Sequence, residues 1–94
     1  MSNKKFNRYG IIYIDHEGIE HKEVTTRSDG RRCLGFQGDT LERVLECLNN
    51  PSIRLYQTAW KYLRARIVRT NEFGDVDAIG ETVATYQLQY VKQE

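Results

Sequence analysis

Two four-residue segments that end in glycine set the strongest limits on how this chain can fold. They are Asp15-His16-Glu17-Gly18 and Asn71-Glu72-Phe73-Gly74. Such a segment is typical of a type I turn whose last residue takes a positive φ, which glycine adopts without steric cost. Because these turns join neighbouring antiparallel strands, both segments predict hairpins, and the sheet of the protein is expected to be antiparallel.

The N-terminal third predicts a meander of three strands. The first hairpin is expected to pair about Phe6–Ile14 with Ile19–Arg27, both of which are rich in β-branched residues. Ser28-Asp29-Gly30 marks a second turn, and the segment RRCLGF that follows predicts a short third strand.

A helix is expected at about residues 39–49. Asp39 can cap it, with Glu42 three residues later as in a capping box. The apolar side chains of this helix are expected on one face, and they are Leu41, Val44, Leu45 and Leu48. Asn49-Asn50-Pro51 ends it, because proline disfavours a helical conformation in the preceding residue.

The next twenty residues can be interpreted in two ways. We predict a short helical or irregular piece over 51–59 and then a strand over 60–70, because Leu63, Ala65 and Ile67 alternate with arginines and a hairpin turn follows. The alternative is a second helix over 51–66. It is indicated by Asn50-Pro51, which can start a helix, and by apolar residues at helical spacing from Ile53 onward. The segment 82–91 predicts a long final strand.

These elements predict an α+β fold, a small antiparallel sheet with one helix. Their order fits an OB-like barrel as well as an open sheet with the helix across it. With 94 residues, the chain is expected to form a single domain over 1–94, with residues 1–5 flexible.

Composition indicates a folded, water-soluble protein, with 39% hydrophobic residues, 29% charged residues and a mean hydropathy of −0.65. The net charge of +1 exerts little long-range attraction on polyanions, so a nucleic-acid site would have to be a local patch. No segment has the length or apolarity of a membrane span or a signal peptide, and we expect a cytoplasmic protein without a membrane partner.

Catalytic and metal-binding motifs are weak in this sequence. The spacing of His16 and His21 matches no metal motif, and Asp75 with Asp77 lacks the register of a calcium loop. Cys33 and Cys47 are far apart and are expected to be reduced thiols. Without a phosphate loop or a nucleophile signature, we expect a non-catalytic protein with no metal and no cofactor.

The strand predicted over 60–70 carries the most informative residues. Alternation places Trp60, Tyr62, Arg64 and Arg66 on one face, opposite Leu63, Ala65 and Ile67. An aromatic and arginine face suits a protein partner, either another protein or a second copy of the chain.

The same strand face also suits single-stranded nucleic acid. In that alternative, Arg54, Lys61 and Arg69 add phosphate contacts to base stacking by the aromatic side chains. Segment 47–71 has no acid and carries a charge of +5, whereas 72–94 carries −4. Asp75 and Asp77 are therefore expected to neutralise part of the arginine face across the second hairpin.

Overall fold

The computed structural model describes residues 6–88, which form seven β-strands and two α-helices. The strands are β1 (Arg8–Asp15), β2 (Glu20–His21), β3 (Val24–Thr26), β4 (Arg32–Leu34), β5 (Gln37–Gly38), β6 (Tyr62–Thr70) and β7 (Ile79–Gln87). The helices are α1 (Leu41–Asn49) and α2 (Pro51–Ala59). The expectations of a flexible segment 1–5 and of a last strand running to residue 91 concern residues outside this range.

The main sheet is antiparallel, with the strand order β2-β1-β6-β7 and with β5 also paired to β1. β1 pairs with β6 along its whole length, so two strands distant in sequence form the centre of the sheet. The predicted α+β class is confirmed. No pairing joins β7 to β2 among residues 6–88, so the described sheet is open and gives no support to an OB-like barrel.

The first predicted turn is present, but the strand after it is divided. Gly18 has a φ of 83°, and the Asp15 carboxylate accepts hydrogen bonds from the N–H groups of Glu17 and Ile19, both at 2.9 Å. After β2, Glu23 takes a φ of 49°, and the chain leaves β1 so that β3 pairs with β4 in a separate two-stranded sheet. The predicted three-strand meander is therefore wrong as a single sheet, because one left-handed residue redirects its middle strand.

Both helices begin at capping side chains. The hydroxyl of Thr40, rather than Asp39, accepts the N–H of Arg43 at 3.2 Å, and α1 starts one residue later than a cap at Asp39 implies. Asp39 instead lies 3.3 Å from the Arg43 guanidinium. At α2, the Asn50 side chain accepts the N–H of Ser52 at 2.9 Å, with proline as the first helical residue.

The segment 51–59 is thus helical, which is one of the two conformations predicted for it, helical or irregular. The alternative of a helix over 51–66 is wrong, because α2 ends at Ala59 and the strand β6 begins at Tyr62. The strand prediction of 60–70 was too long by two residues at its start. β7 begins at Ile79, three residues before the predicted 82.

Apolar clusters lie on both faces of the main sheet. On the helix side, Val44 and Leu48 of α1 pack against Ile11, Tyr13 and Ile67. On the opposite face, Ile12 and Val68 pack against Leu34 of β4 and the loop after β6. Gly10 permits this second contact, since a Cβ there would overlap Cδ1 of Leu34. The second cluster covers only part of its face and leaves the region around Arg64 and Arg66 open.

The segment between β6 and β7 contains the second predicted turn. Gly74 has a φ of 70°, and the Asn71 side chain accepts the N–H groups of Phe73 and Asp75 at 3.2 and 3.1 Å. The turn is present, yet it does not join the strands alone, because a further turn through Asp75 and Ala78 precedes β7.

Candidate functional site

The connection between α2 and β6 fixes the position of Trp60. Its N–H donates to the C=O of Tyr56 at 3.1 Å, and the N–H of Lys61 donates to the C=O of Thr58 at 3.0 Å. Lys61 has a φ of 58°, so the chain turns sharply out of the helix. Trp60 therefore belongs to the end of α2 and not to the strand on which it was predicted, and 61% of its surface is exposed.

A β-bulge separates Tyr62 from the two arginines with which it was predicted to share a face. Asp15 pairs with Tyr62 while Ile14 pairs with Arg64, so Leu63 is an extra residue on β6. Because a one-residue shift moves side chains to the other face, Tyr62 is buried on the helix side. Leu63, which was predicted to share a face with Ala65, is instead 43% exposed.

Tyr62 is part of a cluster of aromatic side chains that extends through Tyr56 to Trp60. Its ring stacks on Tyr13 with centroids 4.7 Å apart and an interplanar angle of 6°. Tyr56 contacts Tyr62 at 6.2 Å and Trp60 at 6.4 Å, and the buried Gln57 amide donates to the Tyr13 hydroxyl at 3.2 Å. Burial first and the Glu23 carboxylate second raise the pKa of Tyr62. Tyr62 is therefore a neutral, packed residue of the core. Its role in binding a partner stays a prediction, and its burial does not favour that role.

The two histidines take separate partners in the β1–β2 turn. Nε2 of His21 lies 2.7 Å from an Asp15 carboxylate oxygen, and His16 lies 3.7 Å from Glu17. The His21 hydrogen bond and the Ile19 N–H lower the pKa of Asp15. Within residues 6–88, no group of three or more His, Cys, Asp or Glu side chains is arranged to hold a metal ion.

Two of the arginines on β6 are neutralised, but not by the predicted acids. Nε and Nη2 of Arg66 each donate to the Glu20 carboxylate at 3.0 Å, and its Nη1 donates to the Thr82 hydroxyl at 2.7 Å. Nε of Arg69 lies 3.2 Å from a Glu81 carboxylate oxygen, in an ion pair without hydrogen-bond alignment. The Arg69 guanidinium also lies 5.3 Å from the centroid of the Tyr9 ring.

The predicted neutralising acids lie elsewhere. Asp75 accepts from Arg31 and from Asn71, both at 2.8 Å, and Asp77 is exposed in the loop before β7. The prediction that Asp75 and Asp77 neutralise the arginines was therefore wrong. It failed because β7 begins only at Ile79, so neither aspartate lies beside β6 in the ladder.

Three other predicted basic residues keep their charge unpaired. Arg54, Lys61 and Arg64 are exposed, and none of them makes an ion pair with any residue between 6 and 88. Arg54 lies on α2, whereas Lys61 and Arg64 flank the start of β6.

The pairing of Asp15 with Tyr62 brings the β1–β2 turn beside the α2–β6 connection. Ile19, in that turn, is 53% exposed. We name the combined region the junction surface, and it consists of Ile19, Trp60, Lys61, Leu63 and Arg64. Ile19 and Leu63 were not predicted as site residues. The bulge that exposes Leu63 has no local sequence signal. Ile19 directly follows the turn residue Gly18, and that position could have indicated exposure.

Neither cysteine is part of the junction surface. Cys33 is buried and Cys47 is half-buried, both are free thiols, and burial raises the pKa of Cys47. Within residues 6–88, α1 and α2 both lack the length and apolarity of a transmembrane helix. Compared with known protein families, curated proteins and solved structures, the chain matches none.

Proposed function

We propose that this chain is a non-catalytic binding module that docks on another protein through the junction surface. One observation carries the proposal: Ile19, Trp60 and Leu63, three large apolar side chains, are 53%, 61% and 43% exposed at one end of the sheet. Isolated exposed apolar residues are common, but a group of them beside unpaired cations is typical of an interaction site.

The junction surface has the chemistry of a protein-binding hot spot. Tryptophan and arginine are enriched among the residues that contribute most to binding, and burial of apolar surface contributes about 25 cal/mol per Å². Trp60 is already supported by the Tyr56 ring, so its side chain loses less conformational freedom when a partner covers it. The complementary partner is a protein with an apolar cavity for Trp60 and carboxylates opposite Lys61 and Arg64.

Single-stranded nucleic acid is the second candidate, favoured by the exposed Trp60 and by the unpaired Arg54, Lys61 and Arg64. Two observations favour a protein partner over nucleic acid. Arg66 and Arg69 are paired with Glu20 and Glu81. Of the two rings that were predicted to stack on bases, Tyr62 is buried and Trp60 is exposed. Ile19 and Leu63, moreover, offer aliphatic surface that phosphates cannot use.

The proposal is tested by comparing wild type, Trp60→Ser and Phe73→Ser as immobilised baits, with the captured proteins quantified by mass spectrometry. Phe73 is the matched control, an aromatic residue that is 36% exposed in the loop after β6. A specific partner should be reduced at least tenfold on Trp60→Ser and retained on Phe73→Ser. Partners that bind all three baits equally would contradict the proposal.

Two further measurements distinguish the alternatives. Trp60 is the only tryptophan, so its fluorescence emission should shift to shorter wavelength when the purified partner covers it. A single-stranded oligonucleotide that causes this shift at low salt, and releases it steeply as salt rises, would favour nucleic acid instead. Sedimentation that shows a wild-type dimer and a monomeric Trp60→Ser variant would identify the partner as a second copy.

A further inference from the structure

The outer edge of β7 pairs with no other strand among residues 6–88. β7 is the last strand in the order of the main sheet. The N–H of Leu88 donates to the C=O of Leu63 at 2.7 Å, which continues the register in which Tyr86 opposes Ala65 and Gln87 opposes Arg64. Because bonded and non-bonded pairs alternate in an antiparallel ladder, the N–H and C=O groups of Thr85 and Gln87 point away from β6.

The end of this edge, residues 84–87, lacks the features that protect exposed strands in most proteins. Such edges are shortened, or they carry proline or lysine. The opposite edge strand, β2, has only two residues, whereas β7 has nine, contains no proline or lysine, and carries Glu81 as its one charge. The register between β6 and β7 shifts between Ile67 and Thr70, so bulges interrupt the first part of this edge. The regular part, residues 84–87, is uncharged.

A groove lined by both apolar and polar side chains lies beside the end of β7, and Asn49, Gln57 and Gln87 are among the polar ones. The helices pack chiefly on β1, β5 and β6, so the helix-side face of β7 is only half covered. Leu45 and Leu48 of α1 and Tyr86 and Leu88 at the end of β7 line this groove of about 320 Å³. Arg54 stands at its wall, exposed and without an ion pair among residues 6–88.

We propose that the β7 edge binds an extended peptide segment of a partner protein as an added strand. The backbone of the peptide bonds to the outward groups of Thr85 and Gln87. One of its apolar side chains enters the groove over Leu45 and Tyr86, and a carboxylate two positions away pairs with Arg54. Side chains two residues apart share a face of a strand, so one peptide can satisfy both contacts. The unpaired charge of Arg54 is the reason to expect an acidic peptide rather than a neutral or basic one.

This site goes beyond the proposed function, since it shares no residue with the junction surface. A Trp60→Ser variant should bind the peptide as wild type does. Failure of the junction surface to bind a protein would leave the β7 site unaffected, and the reverse also holds.

Selection of a displayed library of random ten-residue peptides on the full chain provides the probe. Enriched peptides should carry an apolar residue with Asp or Glu two positions away. Thr85→Pro removes one outward N–H and should weaken binding at least tenfold, whereas Thr85→Val keeps this N–H and should not. Arg54→Gln should weaken the acidic peptides about fivefold.

Amide hydrogen exchange on the wild-type chain tests the geometry without any variant. Peptide binding should slow exchange at Thr85 and Gln87, while Ala84 and Tyr86, whose N–H groups face β6, should change little. The proposal is overturned if no peptide is enriched, if exchange is unchanged at Thr85 and Gln87, or if Thr85→Pro binds peptide as tightly as wild type. A wild-type dimer that dissociates on Thr85→Pro would also overturn it, because the edge would then belong to a second copy.

Discussion

The two ends of the central strand β6 use similar residue types in opposite ways. At the far end, in the loop after Thr70, Arg31 lies 4.1 Å from the Phe73 ring centroid and 2.8 Å from the Asp75 carboxylate. That carboxylate also accepts from the Asn71 amide at 2.8 Å and lies 3.7 Å from the Cys33 sulfur. At the junction surface, Lys61 and Arg64, beside Trp60, make no ion pair with an acid within residues 6–88.

The comparison shows that an aromatic residue beside an arginine does not by itself indicate a binding site. Where an acid completes the group, as Asp75 does, the contacts hold a loop in place. Where no acid is present and apolar side chains remain exposed, the same chemistry is available to a partner. Changes at the far end should therefore alter stability more than binding, and changes at the junction surface should do the reverse.

The largest effect tests the inner boundary of the junction surface. Tyr62→Ala should lower the free energy of unfolding by about 3–5 kcal/mol, because it removes a buried ring that stacks on Tyr13. Trp60→Ala, two residues earlier, should cost less than about 1 kcal/mol, since its ring is largely exposed. Urea denaturation of both variants gives the comparison. If both variants lost the same free energy of unfolding, the assignment of Tyr62 to the core and Trp60 to the surface would be wrong.

A second, smaller effect tests the far end. Asp75→Ala should cost about 1–3 kcal/mol, because it leaves Arg31 and Asn71 without their shared acceptor. Asp77→Ala is the matched control: this exposed aspartate has no partner within residues 6–88, and the change should cost less than about 0.5 kcal/mol. Partner binding should be unchanged in both variants. A loss of binding in Asp75→Ala at unchanged stability would assign the far end to an interface.

Acid should release part of the same stabilisation. The Asn71 hydrogen bond and the Arg31 guanidinium hold the pKa of Asp75 below its ordinary value, despite the opposing effect of burial. A lowered pKa in the folded state stabilises the protein fully above the unfolded value of about 3.9, and this contribution is lost as the pH falls through the folded pKa. Denaturation at pH 6, 4 and 3 should therefore show a smaller loss below pH 4 for Asp75→Asn than for wild type. Identical pH profiles would contradict the role given to Asp75.

The smallest effect has the opposite sign and tests the turn that exposes Trp60. Lys61→Gly should stabilise the fold by up to about 1 kcal/mol, because glycine takes the positive φ without the clash that Lys61 experiences. Lys61→Ala removes the same charge but keeps the Cβ, so it should give no gain in thermal unfolding experiments. Both variants should weaken the junction surface for an acidic partner to a similar extent. A stabilised Lys61→Ala would show that charge, rather than backbone conformation, sets the cost at this position.

Much of the fold could be predicted, but less of the site. The glycine turns, the start of α2 at Asn50-Pro51 and the strand through Ala65 and Ile67 all depend on a few adjacent residues, and the structure has them. The predicted single face of Trp60, Tyr62, Arg64 and Arg66 failed at its first two members. Their positions depend on the end of α2 and on a bulge opposite Asp15, a residue 47 positions before Tyr62.

The sequence by itself determined where the glycine turns lie and where α2 begins, because glycine, proline and capping side chains act on the backbone beside them. Only the tertiary structure decided which charges remain free. Arg66 is paired because Glu20 arrives beside it from 46 residues away, and Arg31 is paired because the loop after β6 brings Asp75 to it. An ion pair of this kind requires that distant strands meet in one particular register, and no local pattern of residues encodes that meeting.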